Sequence, residues 1–459
     1  MGGLDVTVAP ARSAALEVVR RVREKQAFAS EVLDTVLRAR SLREDDAALA
    51  TRLAYGTVQS AGTLDEALDE HLRSPSSVEP RVRDILRLGA YELLFSRTPP
   101  RAIVHESVDA VRAVRPEAAG LANAVLRRLS ERADAFPWGD PRTDDGALAR
   151  ATAHPRWLLD LVTRDRGRDA ARRMFEADQT TAPLFLWHVP FMGTLADAMS
   201  LLEADGAMPV ACEPAGCILA RRAAFAVRGA AVADGRVLVA DVAATVAPLA
   251  VRPMPGETIV DLTAGRGTKT VMLQAAAVSE GGPARIIAMD LHPFKVKVLT
   301  ERMGVLGVPG VEAIVGDATD VIGAQGLPRA GTVDSVLVDA PCTGLGTLRR
   351  HPEKRWRASP DDVSRLAEIQ SRLLEQAATL VGPGGRVVYS TCSVARAEDE
   401  DVVRGFLDGE AGEGFSVESL DEVVPASWRH RVAPEGTFLS MPEADGPDGH
   451  FVAALRRMG

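Results

Sequence analysis

Apolar residues recur every three or four positions through the first third of the chain, the period of a helix with one buried face. "ARSAALEVVRRVREKQAF" sets Ala15, Leu16, Val19 and Val22 on one such face. Ser41 and Glu44 predict a capping box ahead of "DDAALATRLAYGTVQS". "EPRVRDILRLGAYELLFS" is a further amphipathic stretch, ended by Pro99 and Pro100. "AIVHESVDAVRAV" and "AAGLANAVLRRLSER" add two more, so residues 8–135 read as an all-helical bundle. A linker rich in Pro, Gly and Asp follows, "AFPWGDPRTDDGALARATAHP". Residues 155–250 then mix periods: "PRWLLDLVTRDRG" is helical, "PLFLWHV" a strand, and "TLADAMSLLEADG" a helix closed by a Gly cap.

From residue 256 the rhythm becomes strand, turn, helix. "ETIVDLTAG", "ARIIAMD", "VEAIVGDA", "TVDSVLVDAP" and "GGRVVYSTC" are apolar, β-branched runs ending in acidic or small polar residues. Such alternation predicts an α/β, Rossmann-like fold with a doubly wound, mostly parallel sheet. Three domains are therefore expected: residues 1–138 all-α, 139–250 a linker and small α/β module, and 251–459 the doubly wound domain. In such sheets ligands bind beyond the carboxyl ends of the strands, so the informative residues lie there.

Bulk composition narrows the class. With 46% apolar and 25% charged residues the chain of 459 residues is an ordinary globular protein, too long for one core. The N-terminal "MGGLDVTVAP" lacks a secretory pattern and no apolar run spans a membrane, so a cytoplasmic protein without membrane association is expected. Four cysteines are too few for a disulfide scaffold. Cys212 and Cys217, with no His or further Cys nearby, are read as structural, and no metal site is expected. The net charge of −9 argues weakly against nucleic acid, although local basic patches outweigh the total. Only five lysines stand among 54 basic residues, which draws attention to Lys269.

The strand ends carry the chemistry. In "DLTAGRGTKT", Gly265 and Gly267 permit a sharp turn with close backbone approach to a ligand. Asp290 closes the next strand 21 residues after Lys269, where a carboxylate grips ribose hydroxyls, and Asp317 ends the third run near an adenine position. No G-x-x-x-x-G-K-[ST] loop is present, which favours a nucleoside cofactor without a long phosphate chain. S-adenosylmethionine fits, with a dinucleotide enzyme as the rival. "DAPCTGLGTLRRHPEKRW" then sets Asp339, Pro341 and Cys342 in one turn, followed by Arg349, Arg350, His351, Lys354, Arg355 and Trp356. Those cations suit phosphate contact and the Trp suits base stacking. Cys392 ends the fifth run, so two thiols are expected to flank one pocket.

Two thiols suit methylation of carbon 5 of cytosine. That carbon is too electron-poor to attack a sulfonium methyl until a thiolate adds to carbon 6. A serine alkoxide is inaccessible near neutral pH, whereas a thiolate is not. A second ionisable group helps eliminate the product, and a carboxyl group beside N3, for which Asp339 is the candidate, favours the addition. The base must be unstacked, which implies a single-stranded or flipped target.

These residues resemble a known family. "DAPCTGLGTLRRHPEKRW" and "YSTCSVARAEDE" are similar to motifs of the RsmB/Sun/NOP RNA cytosine-C5 methyltransferases, and "DGHFVAALRR" to their C-terminal strand. "YGTVQ", "LRLGAYELLFSRTPPRAIVHESVDAVR" and "GLANAVLRRL" resemble the NusB-like RNA-binding domain fused to bacterial ribosomal members. The resemblance implies Cys392 as nucleophile, Cys342 as the thiol assisting release, Asp339 engaging the cytosine, and Lys269 as a further catalytic residue. It implies that Thr263, Ala264, Gly265, Arg266, Gly267, Thr268, Lys269, Asp290 and Asp317, with Asp339 and Pro341, hold S-adenosylmethionine. The implied partner is small-subunit (16S) ribosomal RNA, with no obligate protein partner. The family's first motif reads Cys-Ala-Ala-Pro-Gly-Gly-Lys, and here Arg266 replaces Pro and Thr268 replaces Gly. A rival of another class is a non-catalytic RNA-binding or ribosome-assembly factor that keeps the scaffold. A variant of the chemistry exchanges the two thiols' roles.

Overall fold

The structure is a computed structural model that describes residues 8–322 and 324–459. Residues 1–7, which carry most of the N-terminal reading, lie outside the described residues. The chain forms two compact units. One comprises the chain up to Gln179 together with Leu348–Ala358, and the other Thr180–Thr347 together with Ser359–Gly459.

The first unit is helical: α1 (Pro10–Lys25), α2 (Ala29–Arg40), α3 (Glu44–Gln59), α4 (Ala61–Asp69), α5 (Pro80–Phe95), α6 (Pro100–Val114), α7 (Ala119–Ser130), α8 (Asp145–Ala151), α9 (Arg156–Arg166) and α10 (Arg168–Ala177). Ala15, Leu16, Val19 and Val22 all face its core, with Leu53, Leu86, Ile103, Leu126 and Leu129. Each such aliphatic side chain contributes roughly 1.5–3 kcal/mol by leaving water. The expected Ser41–Glu44 capping box is absent. Ser41 adopts a left-handed φ of 46° as it ends α2, so its side chain does not cap α3. Glu44, Asp45 and Asp46 in the first turn of α3 meet the positive end of the helix dipole instead.

The second unit holds two sheets. β1 (Leu184–His188), β2 (Pro209–Cys212), β3 (Cys217–Ala220) and β4 (Val237–Val239) form an antiparallel sheet in the order β2-β3-β1-β4. The helix Leu195–Ala204 packs there behind a capping box of Thr194 and Asp197. Cys212 and Cys217 stand opposite each other in the β2–β3 hairpin, and burial pushes their thiols up to about 11 and about 12.

The larger sheet contains β5 (Thr258–Asp261), β6 (Arg285–Asp290), β7 (Val311–Val315), β8 (Val333–Asp339), β9 (Val381–Thr391), β10 (Phe415–Glu418), β11 (Phe438–Ser440) and β12 (His450–Arg457). Its order is β10-β12-β9-β8-β5-β6-β7, with β11 on β12. β5 to β9 pair in parallel, and β12 closes against β9 antiparallel. β5, β6 and β8 are apolar on both faces because helices cover both. The order reverses between β5 and β8, which opens a crevice beyond their carboxyl ends.

The unit boundary differs from the expected domain boundaries at 138 and 250. α8, α9 and α10 join the helical unit. The small sheet shares a core with the large one, since Phe185 and Trp187 pack with Val271, Met272, Leu299 and Met303. Composition marked the linker, but which neighbours share apolar faces is set by tertiary packing. Among the described residues no helix is long and apolar enough to cross a membrane.

Candidate active site

Four strand ends converge beside the crevice. β5 runs into the turn 262–267, where Gly265 takes φ +59° and Gly267 φ +82°. A Cβ on Gly267 would lie 2.8 Å from Leu299 Cγ, so only glycine lets this loop pack against the helix Pro293–Val305. Beside Gly265 there is open space. The Gly265 N–H donates to Asp290 Oδ2 at 3.1 Å, tying the loop to the end of β6. Asp290 is further held by the His292 N–H at 2.9 Å and by Lys295 at 3.3 Å. Thr263 Oγ1 donates to the Asp339 carbonyl at 3.0 Å, and the Ala264 N–H to the Met289 carbonyl at 2.8 Å.

The two substituted loop positions have their own partners. Arg266 lies over the Phe294 ring at 5.7 Å, and Thr268 Oγ1 accepts from Arg302 at 3.0 Å. Asp317, beyond β7, is exposed. Bonds from the Thr319 hydroxyl and N–H hold its carboxyl below the usual range.

β8 delivers Asp339. Lys269 Nζ, from the first turn of the helix after β5, donates to Asp339 Oδ2 at 2.6 Å, and Ser390 Oγ from β9 donates to Oδ1 at 2.8 Å. Burial disfavours both charges. For Asp339 the Lys269 ammonium outweighs it and holds the carboxyl below its ordinary value. For Lys269 the Asp339 carboxylate outweighs it and holds the ammonium above its ordinary value. At neutral pH the two are therefore an ion pair.

Cys342 and Cys392 follow β8 and β9, which are hydrogen-bonded neighbours. Their sulfurs lie 3.2 Å apart, and the Cys392 N–H donates to Cys342 Sγ at 3.3 Å. The hydrogen bond to Cys392, burial, and negative charge on Cys392 push the Cys342 thiol well above its usual value. Cys342 is thus held as a thiol at neutral pH. Charge on Cys392 also adds to the stabilisation of the Lys269 ammonium. Gln370 Nε2 donates to the Pro341 carbonyl at 2.9 Å and fixes the Cys342 turn from behind.

The sequence reading missed four side chains here. Ser390 lay hidden in an apolar strand. His450, at the start of β12, is buried beside the Lys269–Asp339 pair; burial, then the Lys269 charge, lower its pKa to about 4, so it is neutral. Asp261 ends β5 fully buried, accepts from Thr270 Oγ1 at 2.6 Å, and is pushed up to about 7 by burial. Glu398, in the motif after Cys392, is wholly buried.

The basic segment after Cys342 departs from expectation. Residues Leu348–Ala358 belong to the helical unit. Arg355 is fully buried there, and it donates to the carbonyls of Thr152 at 3.1 Å, Ala153 at 3.3 Å and Asp178 at 2.7 Å. Trp356 Nε1 donates to the Gln59 carbonyl at 2.7 Å, and its ring fills the space that a side chain at position 62 would take. Arg357, one residue on, donates to the Val22, Gln26 and Ala27 carbonyls. These carbonyls lie at the C-terminal ends of α1, α3, α8 and α10 or just beyond, where helices leave acceptors unsatisfied and favour cations. Arg355 and Trp356 thus tie the helical unit together, and full burial leaves the Arg355 guanidinium on these carbonyls rather than at the surface, where phosphate contact was expected. Arg349 is buried, His351 packs on Phe28 at 5.1 Å, and Arg350 and Lys354 are half-buried.

Comparison with known proteins matches this arrangement. Residues 248–456 match the family "16S rRNA methyltransferase RsmB/F", and residues 9–131 match the NusB family. The chain is 30% identical to a Bacillus subtilis (strain 168) protein described as a probable ribosomal RNA small subunit methyltransferase B, over 98% of this chain and 99% of that one. It is 29% identical to the ribosomal RNA small subunit methyltransferase B of Erwinia tasmaniensis, over 97% and 98%. The crystal structure of the protein PH0851 superposes with a TM-score of 0.79 at 25% identity, over 97% of this chain and 99% of that one. The structure of NSun6 from Pyrococcus horikoshii shares the fold at a TM-score of 0.55 and 17% identity, over 66% and 98%. The chain is therefore a member of the RsmB/F family of ribosomal RNA methyltransferases, joined to a NusB-type domain.

Proposed function

We propose that the chain methylates carbon 5 of a cytosine in small-subunit ribosomal RNA, with Cys392 as the nucleophile. The observation that carries this reading is the pair of sulfurs 3.2 Å apart beside the Lys269–Asp339 ion pair. S-adenosylmethionine supplies the electrophilic methyl group. The open space at Gly265, the oriented Asp290 carboxylate and the glycine turn at a helix N-terminus fit its ribose and methionine ends. Asp317 and Pro341 would border its adenine and its methyl end.

The Cys392 thiolate adds to carbon 6 and makes carbon 5 nucleophilic. As the addition makes N3 basic it takes a proton from water, and Asp339, held ionised by Lys269, accepts the hydrogen bond from the new N3–H. Once the Cys392 sulfur is bonded to carbon its negative charge is gone. The first cause that keeps Cys342 protonated goes with it. Cys342 can then release its proton to water and take the carbon-5 proton, so that the carbon–sulfur bond breaks and Cys392 leaves as thiolate. The target base must stand outside a stack to meet Cys392. In the helical unit, α6 and α7 border a cleft of about 650 Å³ lined in part by Arg101, Arg112 and Arg127, cations suited to phosphate.

The test is a pair of variants on small-subunit rRNA. Cys392→Ala should abolish methyl transfer. Cys342→Ala should accumulate an RNA adduct that survives denaturing electrophoresis. The adduct appearing with Cys392→Ala instead would exchange the two roles. Failure of the wild-type chain to bind S-adenosylmethionine in calorimetry would favour an assembly factor.

A further inference from the structure

Thr343 and Ser393, the residues that follow the two cysteines, meet at one buried carboxylate. Glu398 Oε1 accepts from the Thr343 N–H at 2.8 Å and from Gln370 Nε2 at 3.1 Å. Its Oε2 accepts from the Thr343 hydroxyl and from the Ser393 hydroxyl, the latter at 2.5 Å. The Tyr389 hydroxyl donates to the Glu398 carbonyl at 2.5 Å, which anchors the backbone that carries the carboxylate. Gln370 also holds the Pro341 carbonyl at 2.9 Å, so both sides of the Cys342 turn lead to Glu398. A second layer closes the Cys392 turn: Thr391 Oγ1 donates to Asp399 at 2.6 Å and accepts from the Ser393 N–H at 3.1 Å.

Each turn alone could flex. Beyond the strands, one backbone bond, from the Gly346 N–H to the Cys392 carbonyl at 2.9 Å, ties the Cys342 segment to the Cys392 turn. Joined through one carboxylate with four donors, they cannot separate without leaving a buried charge short of partners, which is among the costlier losses in a protein interior. The side chain is wholly buried, so water cannot replace the lost donors.

We propose that Glu398 is a positioning residue that clamps the Cys342 and Cys392 turns together and so sets the distance between the two sulfurs. The proposal rests on the two-thiol reading of the reaction. Glu398 holds the two turns through Thr343 and Ser393. Its role is to keep Cys342 in hydrogen-bond reach of Cys392 before attack, and in reach of the carbon-5 proton afterwards.

The test uses the full chain and a readout of the sulfurs that needs no RNA. Diamide takes two electrons and two protons from a thiol pair, and it forms a disulfide at a rate set by how the sulfurs are placed. Glu398→Gln keeps the shape but removes one acceptor and the charge. It should slow Cys342–Cys392 disulfide formation roughly tenfold and methyl transfer roughly 100-fold in kcat, with the KM for S-adenosylmethionine unchanged. Unchanged disulfide formation would overturn the clamp, whatever happens to methyl transfer. Should the Gln variant fail to fold, the Thr343→Val/Ser393→Ala double variant removes the donors and keeps the carboxylate. The same slowing is then expected, and a wild-type rate would overturn the proposal. A wild-type chain that forms the disulfide rapidly, transfers no methyl group to rRNA, and loses the rapid oxidation on Glu398→Gln would reject the cytosine reading and keep the clamp.

Discussion

Arg355→Met separates a structural cation from an RNA-contacting one. The substitution keeps much of the side-chain volume and removes the guanidinium. Three carbonyls, those of Thr152, Ala153 and Asp178, then lose their donor in a buried site. Hydrogen bonds to a charged group are worth roughly 1.5–3 kcal/mol each. Against this, the buried charge itself is unfavourable. Burial lowers the guanidinium from 12.5 to about 10 although Asp178 opposes it, which corresponds to roughly 3 kcal/mol. The net loss is therefore about 3 kcal/mol, since the gain from three bonds exceeds the relief of one desolvated charge. For a unit of this size each kcal/mol moves the midpoint by about 2–4 °C, so the helical unit's transition should fall by about 6–12 °C in scanning calorimetry of the full chain. RNA binding, measured well below that temperature, should keep its dependence on salt concentration. A transition within about 2 °C of wild type, together with a salt slope reduced by about one, would refute the reasoning and return Arg355 to the RNA interface.

The remaining expectations concern the other unit. Asp261 titrates about 7 when folded and near 3.8 when unfolded, so between those values the folded state binds the extra proton. Its contribution to stability is present at low pH and is lost as pH rises through 7; Asp261→Asn should flatten the fall in urea midpoint between pH 5 and pH 8. Lys269→Met removes the cation that holds Asp339 below its ordinary pKa, and methyl transfer should fall roughly 100-fold, with part of the loss recovered at higher pH. Gly267→Ala places a Cβ 2.8 Å from Leu299 at a φ of +82°, and should weaken S-adenosylmethionine binding in calorimetry and destabilise the unit by about 1–3 kcal/mol.

Much of this site was legible because its chemistry sits where a parallel sheet must place it. Asp290, Asp339, Cys342 and Cys392 end apolar runs, and any doubly wound sheet brings such ends to one edge. The supporting residues were not legible for the same local reason. Glu398 stands in "ARAEDE", whose acidity reads as a solvated helix start. Only the fold shows that Tyr389, Thr343 and Ser393 enclose it. The basic run 349–356 reads by composition as a strip suited to RNA. Local sequence does not show that open carbonyls at helix ends await Arg355 and Arg357. Ser41 fails as a cap for α3 because it is itself the left-handed residue that ends α2.

The plug at 348–358 also bears on how the chain is made. The helical unit's own residues are otherwise complete at Gln179, yet the peptide that satisfies its buried carbonyls lies far later in the sequence. At a synthesis rate of about 5–20 residues per second, the nascent bundle waits on the order of ten seconds or more with those acceptors open. A fragment cut at Gln179 would keep that deficit permanently, and a fragment starting at Thr180 would carry an orphaned Arg355 and Trp356 into water. The bundle is thus finished by a peptide made long after it, and its buried carbonyls gain their donor only once residue 358 has been translated.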